Sequence, residues 1–396
     1  MGSRNGDVTV SGGTLAATAG ASAAGIGGGA KGASGSLTVS GGTVVATGRG
    51  YGAGVGGGMG QAGGTVTVSG GELTAINSSA DGMMCLANGA GIGGGAGGKG
   101  GAVTISGGSV TAEGGSSGAG IGGGGSYYNA PGADGGTVTI SGGRVSATGG
   151  SDAAGIGGGG GSRMGFGATG GASGTVEISG GTVFAAGGTS FMIGGGAGAD
   201  IGPGRDGADS GANTFTGGSI RLANDAIAPA PSNGAARVWC VTVTNLVPNA
   251  AVEIALPAES LPATFGVNDL VADAAGKLYL WLPNGLYAFT ADGAGYEATV
   301  ANAPTTATQG SSGGPAAPVF AADGTGFAFD GASFSIKIAN AQSGIWYTLY
   351  ATTALGGDWE IVESVCAEND GDLVFANLDA TAPARFFKVE ASATQP

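Results

Sequence analysis

"GAGIGGGAGGKGG", residues 89–101, holds nine glycines in thirteen positions and one large apolar side chain, Ile92. A glycine-rich loop of this kind cradles a phosphate when it occurs once, after a strand and before a helix. Here it recurs. The Gly-Ile/Val-Gly-Gly-Gly pattern is centred on Ile26, Val55, Ile92, Ile121, Ile156 and Ile193, so it is a structural period and not a cofactor loop. Each copy follows a second phrase: "VTVSGGTLAA" from Val8, "LTVSGGTVVA" from Leu37, "VTVSGGELTA" from Val66, "VTISGGSVTA" from Val103, "VTISGGRVSA" from Val138 and "VEISGGTVFA" from Val176. A decayed seventh copy, "FTGGSIRLA", begins at Phe215. Repeats with periods of about 20–50 residues imply a solenoid, propeller or array.

Within a repeat, Thr137 to Ser141 alternates polar and apolar, the period of a half-buried strand, and β-branched residues dominate it. Val138 and Ile140 are expected to point in and Thr137 and Thr139 out. Gly-Gly then permits a tight corner, a second strand buries Val145 and Ala147, and the Gly-Ile-Gly-Gly-Gly phrase supplies a third side. Stacked coils give inward ladders: one from Val8 through Val176 to Phe215, a second from Leu15 through Val183 to Ile220, and a third from Ile26 to Ile193. The alanines from Ala17 to Ala185 imply a thin core. The fold expected is all-β: a parallel right-handed β-solenoid with a glycine-rich side, followed by two small antiparallel β-sandwiches. Polyglycine-II packing of the glycine-rich side is the alternative, and the Val-Thr-Val strands count against it.

This repeat resembles the "GGTVTISGGTVTATGG…GAGIGGG" arrays of large secreted or surface-displayed bacterial proteins of the adhesin-like and autotransporter-like kind. The resemblance covers residues 1–223, read as six coils and a decayed seventh. Residues 224–236 bring prolines and read as a linker or cap. Residues 237–303 read as a β-sandwich module. Within it, Asp273, Gly276, Lys277, Tyr279, Leu282, Pro283, Gly285 and Tyr287 make a phrase similar to hairpins of carboxypeptidase-regulatory-like and collagen-adhesin B-type stalk modules. The isopeptide-forming residues of those modules are not assigned here. Residues 304–318 read as a second linker. Residues 319–396 resemble the C-terminal sandwich of bacterial secreted proteins, with Phe386-Phe387-Lys388-Val389 as its closing phrase.

Composition narrows the function. The chain has 93 glycines in 396 residues and a net charge of −14. That charge divides into −2 over residues 1–223 and −12 over 224–396. Neither half offers the basic field that nucleic acid or anionic lipid requires. No run is long and apolar enough to span a membrane as a helix, and the N-terminus lacks the apolar core of a signal peptide. Because the chain starts almost inside a repeat, it reads as a piece of something longer, or as one that associates end to end through an open first coil. The three cysteines, Cys85, Cys240 and Cys366, show no metal-type spacing.

There is no histidine. Histidine-activated nucleophiles and imidazole metal sites are therefore absent. Carboxylate chemistry on a β-helix is left open by that count, but Glu72, Arg144, Glu177 and Arg221 form no evident pair, and a polysaccharide-active enzyme is the lesser reading. Asp200, Asp206 and Asp209 lie in a glycine-rich loop that does not match the calcium-binding nonapeptide period, so they read as solvated carboxylates and no metal or cofactor is expected. Thr-x-Thr pairs at Thr65/Thr67, Thr137/Thr139 and Thr214/Thr216 suggest an ice-binding face, in a ladder broken by Asp7, Ala102 and Glu177.

Insertions are the sharper signal. First-strand starts are spaced 29, 29, 37, 35, 38 and 39 residues, so the minimal coil is 29 and later coils carry loops. Those of coils four, five and six are expected to follow the glycine side and to stack. They would bring Tyr127, Tyr128, Arg163, Met164 and Phe166 into one patch, a candidate site for a glycan or protein ligand, since clustered aromatics with an Arg are typical of binding hot spots. The function these features suggest is non-enzymatic, extracellular or cell-surface, and structural or adhesive. Carbohydrate binding is the alternative.

Overall fold

The computed structural model describes residues 6–78, 89–127, 130–161, 168–190, 197–255, 269–309, 327–330, 333–341, 343, 345–353, 359–369, 371–379 and 386–392. All its regular elements are strands, and no helix among the described residues is long and apolar enough to cross a membrane. The chain forms two compact units, Met1–Asp292 with Glu297–Thr308, and Gly293–Tyr296 with Gln309–Pro396.

The first unit is built on a parallel β-solenoid. Seven long strands, Val8–Thr18, Ser36–Arg49, Thr65–Ser78, Ala102–Glu113, Thr137–Ser151, Gly174–Gly188 and Gly211–Leu222, pair in sequence order. The two strand segments of each repeat are one continuous strand, because Gly-Gly makes a bulge and not a corner. The register slips there, and the second glycine of each pair, from Gly13 to Gly218, holds a φ of +72° to +82°. Every long strand carries this left-handed glycine at the same place, so the pairing recovers beyond it, Val10 with Val39 and then Thr14 with Thr43, and the chain is re-aimed without ending the ladder. Opposite runs a second parallel sheet of two-residue strands, in the order Ile26, Val55, Ile92, Ile121, Ile156, Ile201.

Inward columns fill the space between. Val138, Ile140, Val145 and Ala147 are all buried, as the alternation demands. Two ladders differ from the sequence reading. Phe215 pairs with Ile178, not with Val176, and the Val8 column ends on Asn213. Asn213 is only 2% exposed; its Nδ2 donates to the Pro229 carbonyl at 2.8 Å, while its buried Oδ1 meets no donor among the described residues. The sixth Ile rung is Ile201, within Asp200-Ile201-Gly202-Pro203, and Ile193 lies outside the described residues. The extra residues of coil six therefore precede its glycine side, and do not follow it as the sequence reading expects.

The glycine side closes by backbone alone. Gly93 holds φ +139°, and a Cβ there would lie 2.0 Å from the Gly122 carbonyl oxygen of the next rung. The same geometry recurs from Gly27 to Gly157, so a methyl group would overlap its neighbour on each of those rungs. The residue before each Ile is equally confined: at Gly25, Gly54, Gly91, Gly120 and Gly155 a Cβ would meet backbone at 2.6–2.7 Å. On the last rung that position is Asp200.

Asp200 is 0% exposed and is a cap, not a solvated loop carboxylate. It accepts hydrogen bonds from the Gly187 amide at 2.7 Å, the Asn224 amide at 2.7 Å, Asn224 Nδ2 at 2.8 Å and the Ala226 amide at 3.1 Å. Amides that the next coil's carbonyls would have satisfied are met by one carboxylate.

Residues 224–236 are thus a cap and not a free linker. Ser232–Asn233 joins the last long strand, then pairs antiparallel with Ala236–Val243, which pairs with Leu278–Pro283. The solenoid sheet passes without a break into the following module. Trp281 belongs to the solenoid core, packs edge-on against Phe215 at 5.4 Å and donates its indole N–H to the Ile220 carbonyl at 2.9 Å. Gly285–Ala291 pairs with Ile254–Ala255 in a further sheet.

The second unit contains two three-stranded antiparallel sheets: Phe327–Asp330, Ser333–Ala341 and Gly371–Asp379, and Glu360–Cys366, Trp346–Thr352 and Phe386–Ser392. Ile336, Ile338, Tyr347, Leu349 and Phe375 form its buried core.

Candidate functional site

The loop patch expected from the sequence begins at its base. Gly132 donates to the Thr169 carbonyl at 3.0 Å and Gly135 to Ala172 at 2.9 Å, while Gly170 donates to Arg205 at 2.6 Å and Ser173 to Ala208 at 3.2 Å. The segments after the Ile-Gly strands of coils four, five and six are therefore successive rungs. The insertions of coils four and five thus belong to adjacent rungs. Coil six contributes none there, because its insertion lies on the other side of Ile201.

Of the five residues in that patch, Tyr127 is described and half-buried; Tyr128, Arg163, Met164 and Phe166 lie outside the described residues. Tyr127 packs edge-on against Tyr51, with ring centroids 5.2 Å apart and an interplanar angle of 87°. Tyr51 stands two coils away, in a coil without an insertion, so a search confined to loops passes over it. Coil three passes beneath the pair with Gly97, whose added Cβ would sit 3.4 Å from Tyr127 Cβ. The absence of a side chain at Gly97 leaves Tyr127 room to reach Tyr51.

Charged groups beside this face tie rungs together. Asp152, 2% exposed, accepts the Arg205 amide on its own carbonyl at 2.7 Å, and its Oδ1 lies 3.5 Å from Arg205 Nη1. Arg205 also donates to Ser190 Oγ at 3.2 Å and lies 3.4 Å from Asp206 Oδ2. Lys99 and Asp134 pair at 2.8 Å. The hydrogen bond from Lys99 is the main reason the Asp134 carboxyl lies below its ordinary range, against a smaller opposing effect of burial. Arg205, Asp206, Asp209 and Asp225 border a shallow cleft of about 430 Å³. Asp206 and Asp209 are exposed, as expected for solvated loop residues. Among the described residues no three Cys, Asp or Glu side chains stand close enough to share a metal ion.

The junction with the following module gathers the stalk-like phrase into one network. Asp273 Oδ1 accepts the Ala275 and Lys277 amides at 2.8 and 3.0 Å, and Oδ2 accepts the Tyr279 hydroxyl at 2.9 Å and lies 3.5 Å from Arg221 Nη1. Arg221 in turn covers the Phe184 ring at 5.4 Å. Gly276, at φ +67°, would drive a Cβ to within 2.2 Å of the Leu246 carbonyl oxygen. Tyr287 donates to the Pro283 carbonyl at 2.8 Å. Burial alone would raise the Asp273 carboxyl, but the Tyr279, Lys277 and Ala275 hydrogen bonds and the Arg221 charge outweigh it and hold the group below the ordinary aspartate range. Desolvation, then the bond to Asp273, pushes the Tyr279 hydroxyl up to about 12. Cys240 and Cys366 are free thiols, and desolvation pushes Cys240 up to about 12; Cys85 lies outside the described residues.

A second aromatic cluster lies on the second unit. Lys388 Nζ sits 4.7 Å from the Tyr350 ring centroid and 5.0 Å from that of Trp359, and pairs with Glu390 at 2.7 Å. Ile361 and Phe386, from the same sheet, are exposed.

No curated protein and no solved structure matches the chain. A family model described as a beta helix repeat matches residues 8–30, 37–59, 103–125 and 135–160. These are coils one, two, four and five, each from its Val-Thr-Val strand through its Ile-Gly rung. The chain is a repeat β-solenoid protein that carries beta helix repeats.

Proposed function

We propose that this protein is a non-enzymatic structural and adhesive protein of the cell surface or extracellular space, with the solenoid as a shaft. The observation that carries the reading is the use made of charge on the shaft. Asp200, Asp152 with Arg205, and Arg221 with Asp273 each join rungs or seal an end. On the long walls Glu72, Glu113, Arg144 and Glu177 stand on separate coils among threonine, serine, alanine and glycine, which suits a spacer better than a catalyst. Resemblance to adhesin-like arrays and to stalk modules supports the same reading.

In this proposal the far end of the shaft is occupied by the module that Trp281 anchors. Self-association then falls to the first coil, where Val8, Leu15 and Ala17 are half-buried while their counterparts Leu37, Val44 and Ala46 are buried. Light scattering across concentration tests that part.

The adhesive role is tested by presenting the full chain to a glycan array and to cultured cells. Saturable retention on either supports it, and retention on neither rejects it. Release of new reducing ends from a retained polysaccharide would reject the non-enzymatic half. A carbohydrate-binding reading is favoured by the two aromatic clusters. Alanine at Tyr51 and Tyr127, or at Tyr350 and Trp359, separates them: the pair whose loss abolishes retention without lowering the melting temperature carries the contact.

A further inference from the structure

The first half of each long strand presents hydroxyls in register on its outer side. Thr9, Thr38, Thr67, Thr104 and Thr139 are successive partners in one column. The neighbouring column, from Ser36 to Thr175, carries Ser or Thr on every rung but Ala102. Register thus rearranges the interruptions expected from the sequence. Ala102 is a gap in one column only, Asp7 stands at that column's open end beside Ser36, and Glu177 ends the threonine column at coil six. At the bulge an exposed serine follows on every coil from Ser11 to Ser179. The Ser36 hydroxyl donates to Asp7 Oδ1 at 2.7 Å; among the described residues none of the other hydroxyls in this array bonds a protein group.

We propose that this face binds ice. Pairing through the Val-Thr-Val segments is one to one on every coil, and slips begin only at the serine. The array therefore repeats about every 4.8 Å along the stack and about every 6.7 Å along the strand. Threonine is stiff about its first side-chain torsion, so little freedom is lost when a partner fixes it. A single hydroxyl that exchanges liquid water for another partner gains little. Gains add up only against a partner that is itself rigid and periodic, so that every rung bonds at once. No charged or aromatic side chain stands in these columns between Asp7 and Glu177, which removes the ring-stacking contacts by which flexible sugars are held. A lattice of water, which offers hydrogen-bonding groups alone, is the partner this chemistry fits. The inference is independent of the adhesive role.

The test is thermal hysteresis, ice-crystal shape and recrystallisation inhibition with the full chain. Thr104→Tyr and Ser106→Tyr place a ring in the middle of the array, and Thr111→Tyr places one on the strand half beyond the bulge as a control. The native chain and Thr111→Tyr are expected to shape ice, and the two array variants to lose the activity with unchanged melting temperature. A native chain that leaves ice unaffected overturns the proposal. So does full activity in Thr104→Tyr and Ser106→Tyr, which would place the contact elsewhere. Retention on crystalline cellulose or chitin without any effect on ice also overturns it, in favour of a polysaccharide lattice.

Discussion

The long-strand wall fills the core with side chains, whereas the glycine wall opposite contributes one Ile or Val per rung and otherwise closes by backbone contact. On the first, Val, Ile and Leu exchange freely along a column: Leu37, Val66, Val103 and Val138 are partners, each at most 3% exposed. On the second, positions such as Gly93 admit no Cβ at all, because the next rung's carbonyl oxygen already occupies the space. The difference teaches what kind of constraint each wall imposes. One asks for apolar volume, which several residues supply; the other asks for absence, which glycine alone supplies.

Substitutions that respect or violate this division measure it. Gly93→Ala is expected to have the largest effect, on the order of 4 kcal/mol or more, since it combines a forbidden φ with overlap against Gly122. Gly60→Ala, at φ +70° with no atom near its Cβ, should cost only about 1 kcal/mol. Thermal melting of the two variants checks the contrast, and equal losses would mean that conformational preference, not close approach, dictates the glycines. Val138→Asp comes next, at about 3–5 kcal/mol, the range for an uncompensated buried charge. Unchanged denaturation of that variant would remove the inward assignment of the strand wall.

Asp200→Ala follows, at about 2–3 kcal/mol, because it strands the buried amides of Gly187 and Ala226 that the carboxylate now meets. Amide hydrogen exchange should then quicken at the last rungs while coils two to four stay protected. Exchange that quickens evenly along the stack would mean the cap is not local. The smallest effect concerns Asp273. Its carboxyl is depressed in the folded state, so its contribution is fully present above the ordinary aspartate value of about 3.9 and is lost as pH falls through the depressed value. The urea midpoints of the native chain and Asp273→Asn should differ at pH 7 and converge as pH falls through the depressed value. A gap that persists at low pH would show that packing, and not charge, holds this junction.

Much of the solenoid was legible because its signals are local and repeated. Alternation marked Val138, Ile140 and Val145 as inward, and the recurrence of Gly-Ile-Gly-Gly-Gly marked the second wall. The Gly-Gly pair read as a corner is a bulge on every coil, because the strand runs on through it; the other failures came where the repeat decays. "FMIGGGAG" matches the recurring phrase better than "DIGPG", yet Ile201 is the rung, because the final coil no longer has a like coil above it and the position before Ile can carry the side chain of Asp200. "FTGGSIRLA" lacks the Val or Leu that starts every other copy, and only the pairing of Phe215 with Ile178 shows that Asn213 takes that residue's place. The aromatic pair was legible by half: Tyr127 stood in an insertion, and Tyr51 carried no local sign of meeting it.

Periodicity by itself determined that this chain is a parallel β-solenoid, which residues face the core, and which wall must be glycine, because each rung sees the same neighbours and so repeats the same residues. The tertiary structure alone decided how the stack ends. There a coil meets something unlike itself, so the carboxylate of Asp200, the amide of Asn213 and the indole of Trp281 take up bonds and contacts that no repeat could encode.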